Sequence, residues 1–437
     1  MEKNNKIKIV DSIMGSGKTS AMIQTMRVET DKNYLFVTPF LDEIDRIIEK
    51  TDGKFKSPEY RSKFHTKLDD LHSLLECGEN IATTHQLFLL ANKRTEQLIV
   101  EGDYILILDE SLDVLHLYNE DMKKNQSKLM GRDDCKFLIE NGIISIDNQC
   151  KVKWIDTKTN QYDFAYSELK RLADRDMLRY INNNFYWEYP PDIFGWFHEI
   201  YVLTYLFERT VLDCYFQMHN FKYTKISAEK FNDGFRLCEY SDAKEQRKEY
   251  AELINLYDGK YNELGEKPNA FTINWLKSYK NKHKLDEIKK IMLNYKRSVG
   301  ATSDSVMWTT SKQYGIYQEL EKQKGFKYIH PLTEEEKHLP EREIKKLRQF
   351  VPCNARATND YADRTTLMYL LDYRIRPELK YYFAAQNCEL DENQIALNTL
   401  LQWIWRSAIR NKQPINVFIP SKRMRRLLCE WLDVAPF

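Results

Sequence analysis

Features of membrane, secreted and metal-binding proteins are scarce in this chain of 437 residues. No apolar run approaches the ~18 residues of a membrane-spanning helix, and the opening MEKNNKIKIVD lacks the apolar core of a signal peptide. The eight cysteines include no C-x-x-C pair, which argues against a zinc site and a disulfide framework and favours reduced thiols in a cytoplasm. No repeat with a period of ~20–50 residues occurs, so a solenoid is not expected.

An excess of charge of one sign is also lacking. The 66 Lys and Arg against 65 Asp and Glu give a net charge of +1, so any basic surface for nucleic acid must be local. PSKRMRRLL (420–428) and EIKKIMLNYKR (287–297) are candidates for such a surface, although each also fits a solvated helix face. The hydrophobic content of 42% and the length indicate a globular protein of two or three domains.

The segment KIKIVDSIMGSGKTSAMIQTM (6–26) has the order strand, loop and helix. Its glycines allow backbone N–H groups to close around phosphate oxygens, and the N-terminus of the following helix adds a positive dipole end. Lys18 would reach the β- and γ-phosphates, and the Thr19 hydroxyl would bind Mg²⁺. Ser12 departs from the consensus G-x-x-x-x-G-K-[ST], where a glycine stands. A plain turn before an ordinary helix is the alternative. The residues predicted to hold the nucleotide are Gly15, Ser16, Gly17, Lys18, Thr19 and Ser20.

Two carboxylates follow the apolar run of YILILDES (104–111). A phosphate loop requires a carboxylate at the end of a neighbouring strand, and this pair fits that position. Asp109 would bind Mg²⁺, directly or through water, while Glu110 would polarise the water that attacks the γ-phosphate. Considered alone, the pair is equally typical of an ordinary exit from a strand into a loop.

A cation that stabilises the transition state is expected near the C-terminus, where an arginine finger can contribute ~10³–10⁵ in rate. In LLQWIWRSAIR (400–410), a helical wheel gathers the apolar residues on one face. Gln402, Arg406 and Arg410 fall on the opposite face, at i, i+4 and i+8. These groups could grip phosphate together, or they could form a solvated polar stripe.

The pattern along the chain predicts an α/β protein with two parallel sheets in tandem. Short β-rich runs alternate with helical patterns in the first third and again after residue 300. We predict a first domain at 1–228 with an insertion at about 112–198, and a second domain at 229–437 with a helical lead-in at 229–300. The insertion contains aromatic residues that could stack on unpaired bases, although a small hydrophobic core explains them as well.

The order of these motifs resembles that of superfamily 2 helicases of the DExx-box type, especially the compact helicase-like proteins of bacteriophages and mobile elements. The resemblance spans nearly the whole chain. It implies two RecA-like domains, with a largely helical insertion in the first, and ATP and Mg²⁺ bound between them. The residues that it makes catalytic are Lys18, Asp109, Glu110, Gln402, Arg406 and Arg410, with Thr19 and Asp109 as metal ligands.

The same resemblance implies a set of nucleic-acid contacts. VTPF, ATTHQL, VMWTTSK and NARATND occupy the positions of the family's strand-binding motifs. Thr204 in LTYLF is a faint match to the element that couples hydrolysis to movement, and a plain core strand is the alternative there. The implied nucleic-acid-binding residues are Thr38, Pro39, Thr84, His85, Thr309, Thr310, Ser311, Arg356, Thr358 and Asn359.

Three departures from the family pattern limit what it implies. Asp-Glu-Ser-Leu at 109–112 is neither familiar form of the acidic motif, so it does not select between DNA and RNA. About ten residues precede the phosphate loop, which leaves little room for the upstream glutamine motif that selects adenine. Arg410 lies eight residues after Gln402, whereas the family spacing is seven.

The expected function is an ATP-dependent helicase or translocase that moves on a single strand, DNA before RNA, as its two domains close around ATP. The expected molecule is a monomer in a bacterial or phage-infected cytoplasm, with no membrane contact, working with replication or recombination partners. A duplex translocase that does not unwind, a packaging-type motor and a binding module without turnover are the alternatives.

Overall fold

The computed structural model describes residues 6–60, 62, 65–118, 132–155, 166–278, 282–355 and 360–435. The predicted contacts Arg356, Thr358 and Asn359 lie outside these residues.

The described chain contains seventeen strands. In chain order they are β1 (Ile7–Asp11), β2 (Tyr34–Thr38), β3 (Phe55–Lys56), β4 (Asn80–Thr84), β5 (Ile105–Asp109), β6 (Leu115–Leu117), β7 (Ile144–Ile146), β8 (Val152–Trp154), β9 (Leu178–Ile181), β10 (Asn184–Glu188), β11 (Glu199–Thr204), β12 (Tyr223–Phe231), β13 (Gly234–Glu239), β14 (Ile254–Leu256), β15 (Val306–Thr309), β16 (Thr366–Tyr369) and β17 (Ile415–Phe418).

Seventeen α-helices accompany the strands in the described residues. They are α1 (Lys18–Val28), α2 (Leu41–Lys50), α3 (Lys67–Glu76), α4 (His85–Phe88), α5 (Lys93–Glu101), α6 (Arg132–Glu140), α7 (Ser167–Asp174), α8 (Val211–Met218), α9 (Lys244–Leu253), α10 (Ile273–Ser278), α11 (Lys282–Ser298), α12 (Ile316–Glu321), α13 (Glu334–Lys337), α14 (Glu341–Lys346), α15 (Pro377–Ala385), α16 (Glu392–Ile404) and α17 (Lys422–Leu432). Short 3₁₀ turns occur at Pro191–Gly195, Lys260–Gly265, Gln313–Gly315 and Ala408–Asn411.

The first lobe is built on an eight-stranded sheet with the order β13-β12-β1-β11-β5-β2-β4-β3. Every neighbouring pair is parallel except β12 and β13. All residues of β2 and β5 are buried, because helices cover both faces of a parallel sheet and its central strands become continuous apolar runs. The carboxyl ends of β1, β2, β5 and β11 therefore meet at one edge, where β1 leads into the phosphate loop.

The second lobe is built on a parallel sheet with the order β14-β17-β16-β15. Its buried core includes Trp308, Tyr369, Trp403 and Phe418. The prediction of two parallel sheets in tandem is therefore confirmed. The strand β16 was not anticipated as a separate element, because Thr366–Tyr369 is only four residues long and follows a polar stretch without periodicity.

The insertion between β5 and β11 is a mixed α/β structure in its described residues. The strands β6, β10 and β9 form one antiparallel sheet, β7 and β8 form another, and α6 and α7 pack beside them. The prediction of a largely helical insertion is wrong for these residues, since strands of three to five residues are too short to produce a clear period of two. Phe185 and Tyr186 are fully buried, as the hydrophobic-core interpretation of the aromatic residues requires.

The segment after residue 222 is a β-hairpin and not a helix. We expected a helical lead-in at 229–300, and this is wrong for its first residues, which belong to β12 and β13 and to the turn of Asn232 and Asp233 between them. A turn rich in Asn, Asp and Gly is a hairpin signal, but the polar character of both strands obscured it. β12 crosses the predicted boundary between residues 228 and 229, so the first sheet continues to Glu239.

A helix that follows a second-lobe strand is buried in the first lobe. α15 places Tyr382 and Phe383 in the same core as the insertion. The rings of Tyr382 and Tyr186 lie 4.9 Å apart, and the Tyr186 hydroxyl donates to the carbonyl of Glu378 at 3.1 Å. The two lobes are thus connected by an element that leaves one of them and packs into the other.

The centre of this contact is the buried carboxylate of Glu188. It accepts hydrogen bonds from Arg179 Nε at 2.5 Å, His219 Nε2 at 2.7 Å and the Tyr382 hydroxyl at 2.7 Å. Burial opposes ionisation of Glu188, but the hydrogen bonds from His219, Arg179 and Tyr382 and the charge of Arg179 outweigh it and lower the pKa to about 2. Removal of one of these donors would leave the buried carboxylate without a full set of hydrogen bonds, which lowers the free energy of unfolding.

We expect Tyr382→Phe to destabilise the protein by about 1.5–3 kcal/mol, the range for a hydrogen bond to a charged group. The matched control is Tyr381→Phe, because Tyr381 is 60% exposed on the same helix; surface changes of this kind cost less than about 0.5 kcal/mol. Urea denaturation followed by circular dichroism measures both variants, and equal midpoints would contradict a stabilising role for the Tyr382–Glu188 bond.

Candidate nucleotide site between the two lobes

The predicted phosphate loop, residues 12–17, connects β1 to α1. Two of its glycines have backbone angles in the left-handed region. Gly15 has φ 80° and Gly17 has φ 87°, a conformation that side chains disfavour. A Cβ on Gly17 would also lie 2.0 Å from Cδ1 of Phe235, so both backbone angle and space require glycine there. A Cβ on Gly15 would lie 3.8 Å from Cδ1 of Trp405. The first-lobe hairpin therefore packs on the loop, and Trp405 of the second lobe lies next to it.

Ser12 occupies the position where the consensus has glycine, and the structure explains the hydroxyl. Its Oγ accepts a hydrogen bond from the backbone N–H of Ala228 at 2.9 Å, and its own N–H donates to the carbonyl of Thr204 at 3.1 Å. Ser12 thus joins the start of the loop to β12 on one side and to the end of β11 on the other.

Lys18 is the first residue of α1, and its side chain turns back to the loop. Its Nζ donates to the carbonyls of Ser12 at 2.5 Å and Ile13 at 3.1 Å. Burial lowers the pKa of Lys18 to about 8, against the opposing effect of the negative charges of Asp11, Asp109 and Glu110. The hydroxyl of Ser16 is buried and has no hydrogen-bond partner among the described residues. A buried donor without a partner is costly, and an anion in the loop would satisfy it.

The acidic pair lies at the end of β5, beside the loop. Oδ1 of Asp109 accepts from the Thr19 hydroxyl at 3.3 Å, and Oδ2 accepts from the Thr38 hydroxyl at 3.4 Å. Glu110 adopts φ 69° and donates its backbone N–H to the carbonyl of Leu203 at 3.0 Å. A non-glycine residue in this region is strained, and such strain occurs often at functional sites.

A third acid from α2 joins this pair, and the sequence did not reveal it. Glu43 is buried and pairs with Arg46 at 2.7 Å. Burial, together with the charges of Glu43 and Glu110, raises the pKa of Asp109 to about 7. Burial also raises the pKa of Glu43, while Arg46 and Arg410 oppose the shift. Three carboxylates therefore lie close together at this edge of the sheet, and a cation next to Asp109 would relieve their mutual repulsion.

The second lobe completes the site with residues from the end of α16 and the turn after it. Gln402, Arg406 and Arg410 line the same cavity of about 380 Å³ as Lys18 and Asp109. Ser20 and Glu110 line it as well. The structure thus brings together the predicted loop, acidic pair and C-terminal cations, which the sequence separates by almost 400 positions.

The geometry of the arginines differs from the expected single helix. α16 ends at Ile404, and Ala408–Asn411 is a separate 3₁₀ turn. The prediction that Arg410 continues the helical face of Gln402 is wrong, because Ser407 adopts an extended backbone with ψ −172°. Both arginines nevertheless line the cavity. Burial lowers the pKa of Arg410, and the neighbouring charge of Arg46 adds to this effect.

Two aromatic residues at the cavity, Phe235 and Trp405, were not predicted to be site residues. Phe235 belongs to β13 and Trp405 directly precedes Arg406. The Phe235 ring packs on Gly17, and Trp405 lies next to Gly15. A single aromatic residue carries no spacing signal, and both residues were assigned to other patterns, a helical segment for Phe235 and an apolar helix face for Trp405.

The predicted nucleic-acid contacts of the first lobe lie beside the site. Thr38 is buried, and its hydroxyl is directed at Asp109; Pro39 is partly exposed. Thr84 accepts from the backbone N–H of Leu87 at 3.2 Å and caps α4, and His85 is buried. Their assignment to nucleic acid stays a prediction.

The second-lobe contacts lie at a separate and larger cavity of about 1610 Å³. Thr310 and Ser311 line it, while Thr309 is buried behind them. The Thr310 hydroxyl donates to the carbonyl of Leu370 at 2.9 Å, and the Ser311 hydroxyl accepts from the N–H of Gln313 at 3.1 Å. Basic residues share this lining, namely Lys312, Arg374, Arg376 and Lys380.

The residues at the smaller cavity fit a nucleotide with Mg²⁺. Asp109 and Thr19 offer a carboxylate and a hydroxyl oxygen next to each other, the hard ligands that Mg²⁺ prefers when phosphates and water complete its shell. Lys18 and the buried Ser16 hydroxyl offer donors to an anion. The raised pKa of Asp109 indicates that this carboxylate lacks a positive partner of sufficient strength in the protein alone.

Comparison with known proteins assigns the chain to a family. The SPbeta prophage-derived protein YonV of Bacillus subtilis (strain 168) is 33% identical over 442 residues, which cover 98% of this chain and 99% of that protein. The chain belongs to the YonV family. The YonV middle domain matches residues 126–187, and the YonV C-terminal Rossmann-like domain matches residues 248–432.

Solved structures show which fold the YonV-family chain has. A structure described as apo XPD is 14% identical with a TM-score of 0.53, and one described as XPD helicase is 12% identical with a TM-score of 0.51. Each alignment covers 99% of this chain and 96% of the other. The YonV-family chain therefore has a helicase-like fold of two RecA-like sheets in tandem. Within the described residues, no helix has the length and apolar character needed to span a bilayer.

We expect Asp109→Asn to stabilise the nucleotide-free protein increasingly as pH rises. In the folded protein Asp109 keeps its proton up to about pH 7, whereas the unfolded chain releases it near ~3.9. The raised pKa therefore favours folding below about pH 4, and this contribution is lost as the pH rises to 7. Between pH 5 and pH 8 the advantage of the asparagine variant should grow by about 2 kcal/mol. Thermal unfolding at both pH values measures it, and a pH-independent difference would refute the assignment.

Proposed function

We propose that the chain is a nucleic-acid-dependent ATPase that acts as a helicase or translocase on a single strand. The observation that carries the proposal is the cavity where Lys18 and Asp109 of the first lobe meet Arg406 of the second. A site divided between two lobes can couple the state of a nucleotide to the distance between them. We further propose that the first lobe ends near Glu239, after the hairpin, and that Asp109 and Glu110 are a DExx-type pair.

The loop residues bind the triphosphate in this proposal. Backbone N–H groups around Gly15 and Gly17 and the N-terminus of α1 donate to phosphate oxygens, and Lys18 exchanges its carbonyl partners for the β- and γ-phosphates. This exchange is favourable because an ammonium group whose pKa is lowered by burial gains a strong anionic partner. Asp109 and Thr19 would hold Mg²⁺, which would supply neutralisation of phosphate charge.

Glu110 and the arginines act on the reaction itself. Glu110 orients a water molecule towards the γ-phosphate and takes its proton, since it lines the cavity next to the acid assigned to the metal. Arg406 places a guanidinium group against the charge that develops on the phosphoryl oxygens. Arg410 adds a second guanidinium, and Gln402 offers an amide to the same group or to the water.

Movement follows from the contacts between the lobes. Trp405 and Gly15 line the cavity next to each other from the two lobes, so in this proposal a change in the loop is transmitted to the residue next to Arg406. ATP favours the closed arrangement because the arginines find their anion only there, and loss of the γ-phosphate removes that preference. A strand held at Thr310 and Ser311, with basic residues along the larger cavity, would then advance relative to the first lobe.

The strand-binding surface is proposed to recognise a phosphate backbone and unpaired bases. Lys312 and Arg376 supply positive charge at the larger cavity, and Trp275 and Tyr314 supply flat rings. Cations combined with aromatic rings are typical of sites that hold single strands without sequence preference. Single-stranded DNA is the first substrate to test, and RNA the second.

Lys18→Ala is expected to lower ATP hydrolysis to background while single-strand binding persists, because the strand-binding surface lies elsewhere. The matched control is Lys93→Ala, an exposed lysine at the start of α5. Phosphate release is measured without nucleic acid and with single-stranded DNA, duplex DNA and RNA. Unchanged hydrolysis by Lys18→Ala, or no stimulation of the native protein by any nucleic acid, would overturn the proposal.

Arg406→Gln is expected to reduce the stimulated rate of hydrolysis by roughly 10³-fold, the lower limit for loss of an arginine finger, with little change in ATP binding. Arg94→Ala serves as the control, since Arg94 is 53% exposed and paired only at the surface with Glu76. Stopped-flow phosphate release and equilibrium binding separate the two effects. A parallel loss of binding and hydrolysis would assign Arg406 to ground-state binding and not to the transition state.

A further inference from the structure

The hairpin of β12 and β13 holds an aromatic ring against the phosphate loop. We propose that Phe235 is the platform on which the base of the nucleotide stacks. This inference rests on the proposed function, because it assumes that a nucleotide binds at the loop. It goes beyond it by assigning base recognition to an element that neither the motifs nor the family comparisons identify.

Three contacts fix the hairpin to the loop and to α1. The N–H of Phe235 donates to Oε1 of Gln24 at 2.7 Å, the N–H of Ala228 donates to Oγ of Ser12 at 2.9 Å, and the hydroxyl of Ser227 donates to the carbonyl of Asp11 at 3.5 Å. Two of these contacts come from β12, before the hairpin turn, and one comes from β13, after it. The position of Phe235 relative to the loop is therefore fixed from both strands.

The ring lies where the loop passes into α1. Its Cδ1, Cε1 and Cγ atoms would be 2.0, 2.3 and 2.6 Å from a Cβ on Gly17, so the ring packs on that glycine directly. Phe235 also lines the cavity, together with Ser20 from the first turn of α1. It remains partly exposed. A group attached to a phosphate chain bound in the loop can therefore reach the ring.

The flat, apolar ring of Phe235 favours a ligand that carries an aromatic group. A flat apolar surface beside a phosphate site binds a flat base through stacking, which is insensitive to the hydrogen-bonding edge of the base. The hairpin, which comes after the loop in the chain, supplies such a surface at the cavity.

A competing role for Phe235 is to hold the loop in shape without touching the ligand. The two roles differ in the ligand that they affect. Loss of a base platform weakens binding of a nucleoside triphosphate but leaves inorganic tripolyphosphate unaffected, since tripolyphosphate has no base. Loss of a loop support weakens both ligands by the same factor.

The experiment measures equilibrium binding of ATP and of tripolyphosphate to the full chain with Mg²⁺, in the absence of nucleic acid. For Phe235→Ala we expect ATP affinity to fall about 10-fold, the order of one stacking contact, and tripolyphosphate affinity to change less than about 2-fold. Phe235→Tyr should restore ATP binding to within about 2-fold of the native value, because it keeps the ring. Phe231→Ala is the control, since Phe231 is an exposed aromatic of the same hairpin and stacks on Arg236.

The outcomes separate this inference from the proposed function. Equal loss of both ligands in Phe235→Ala, or no loss of either, overturns the base platform and leaves the ATPase proposal intact, provided that Lys18→Ala loses both. Failure of Phe235→Tyr to restore ATP binding also overturns it. If the native chain binds neither ATP nor tripolyphosphate, the ATPase proposal and the base platform both fall.

Discussion

The confinement of one ammonium group and three carboxylates at the edge of the first sheet is the constraint on which the rest of the site depends. Lys18, Asp109 and Glu43 are all removed from water, and burial penalises each charge. Within the described part of the chain, only Glu43 of these three has a close charged partner, Arg46 at 2.7 Å, since Lys18 donates to backbone carbonyls and Asp109 accepts from hydroxyls. This arrangement is electrostatically unfavourable in the protein alone. A ligand that carries both an anion, for Lys18, and a cation, for Asp109, would stabilise both groups.

The parallel sheet explains why these charges meet. Polar residues at the carboxyl ends of β1, β2 and β5 leave the sheet at one edge, where no strand partner is available and a cleft forms. The second lobe closes this cleft with Trp405 and Arg406. A single Ser12 hydroxyl then joins the loop to the hairpin, so the departure from the glycine consensus is compensated by a bond that glycine could not form.

The parts of the site that could be predicted were those with local signals. A loop between a strand and a helix, an acidic pair after an apolar strand and an arginine after an amphipathic helix each have spacing that restricts their geometry. Glu43 and Phe235 have no such signal, because their positions depend on the pairing of distant strands and on how α2 packs. Short strands caused the error in the insertion, since three or four residues are compatible with either period. In the hairpin, the polar character of both strands hid the pairing.

The helix α15 has a consequence for how the molecule can be divided. It belongs by sequence to the stretch 248–432 that matches a single family description, yet Tyr382 and Phe383 fill the interior of the other half. A protein fragment that begins at that boundary would expose these rings to solvent. The complementary fragment would have a cavity next to Glu188, where Tyr382 normally packs. The halves are therefore expected to be insoluble when made separately and to recover when produced together in one cell.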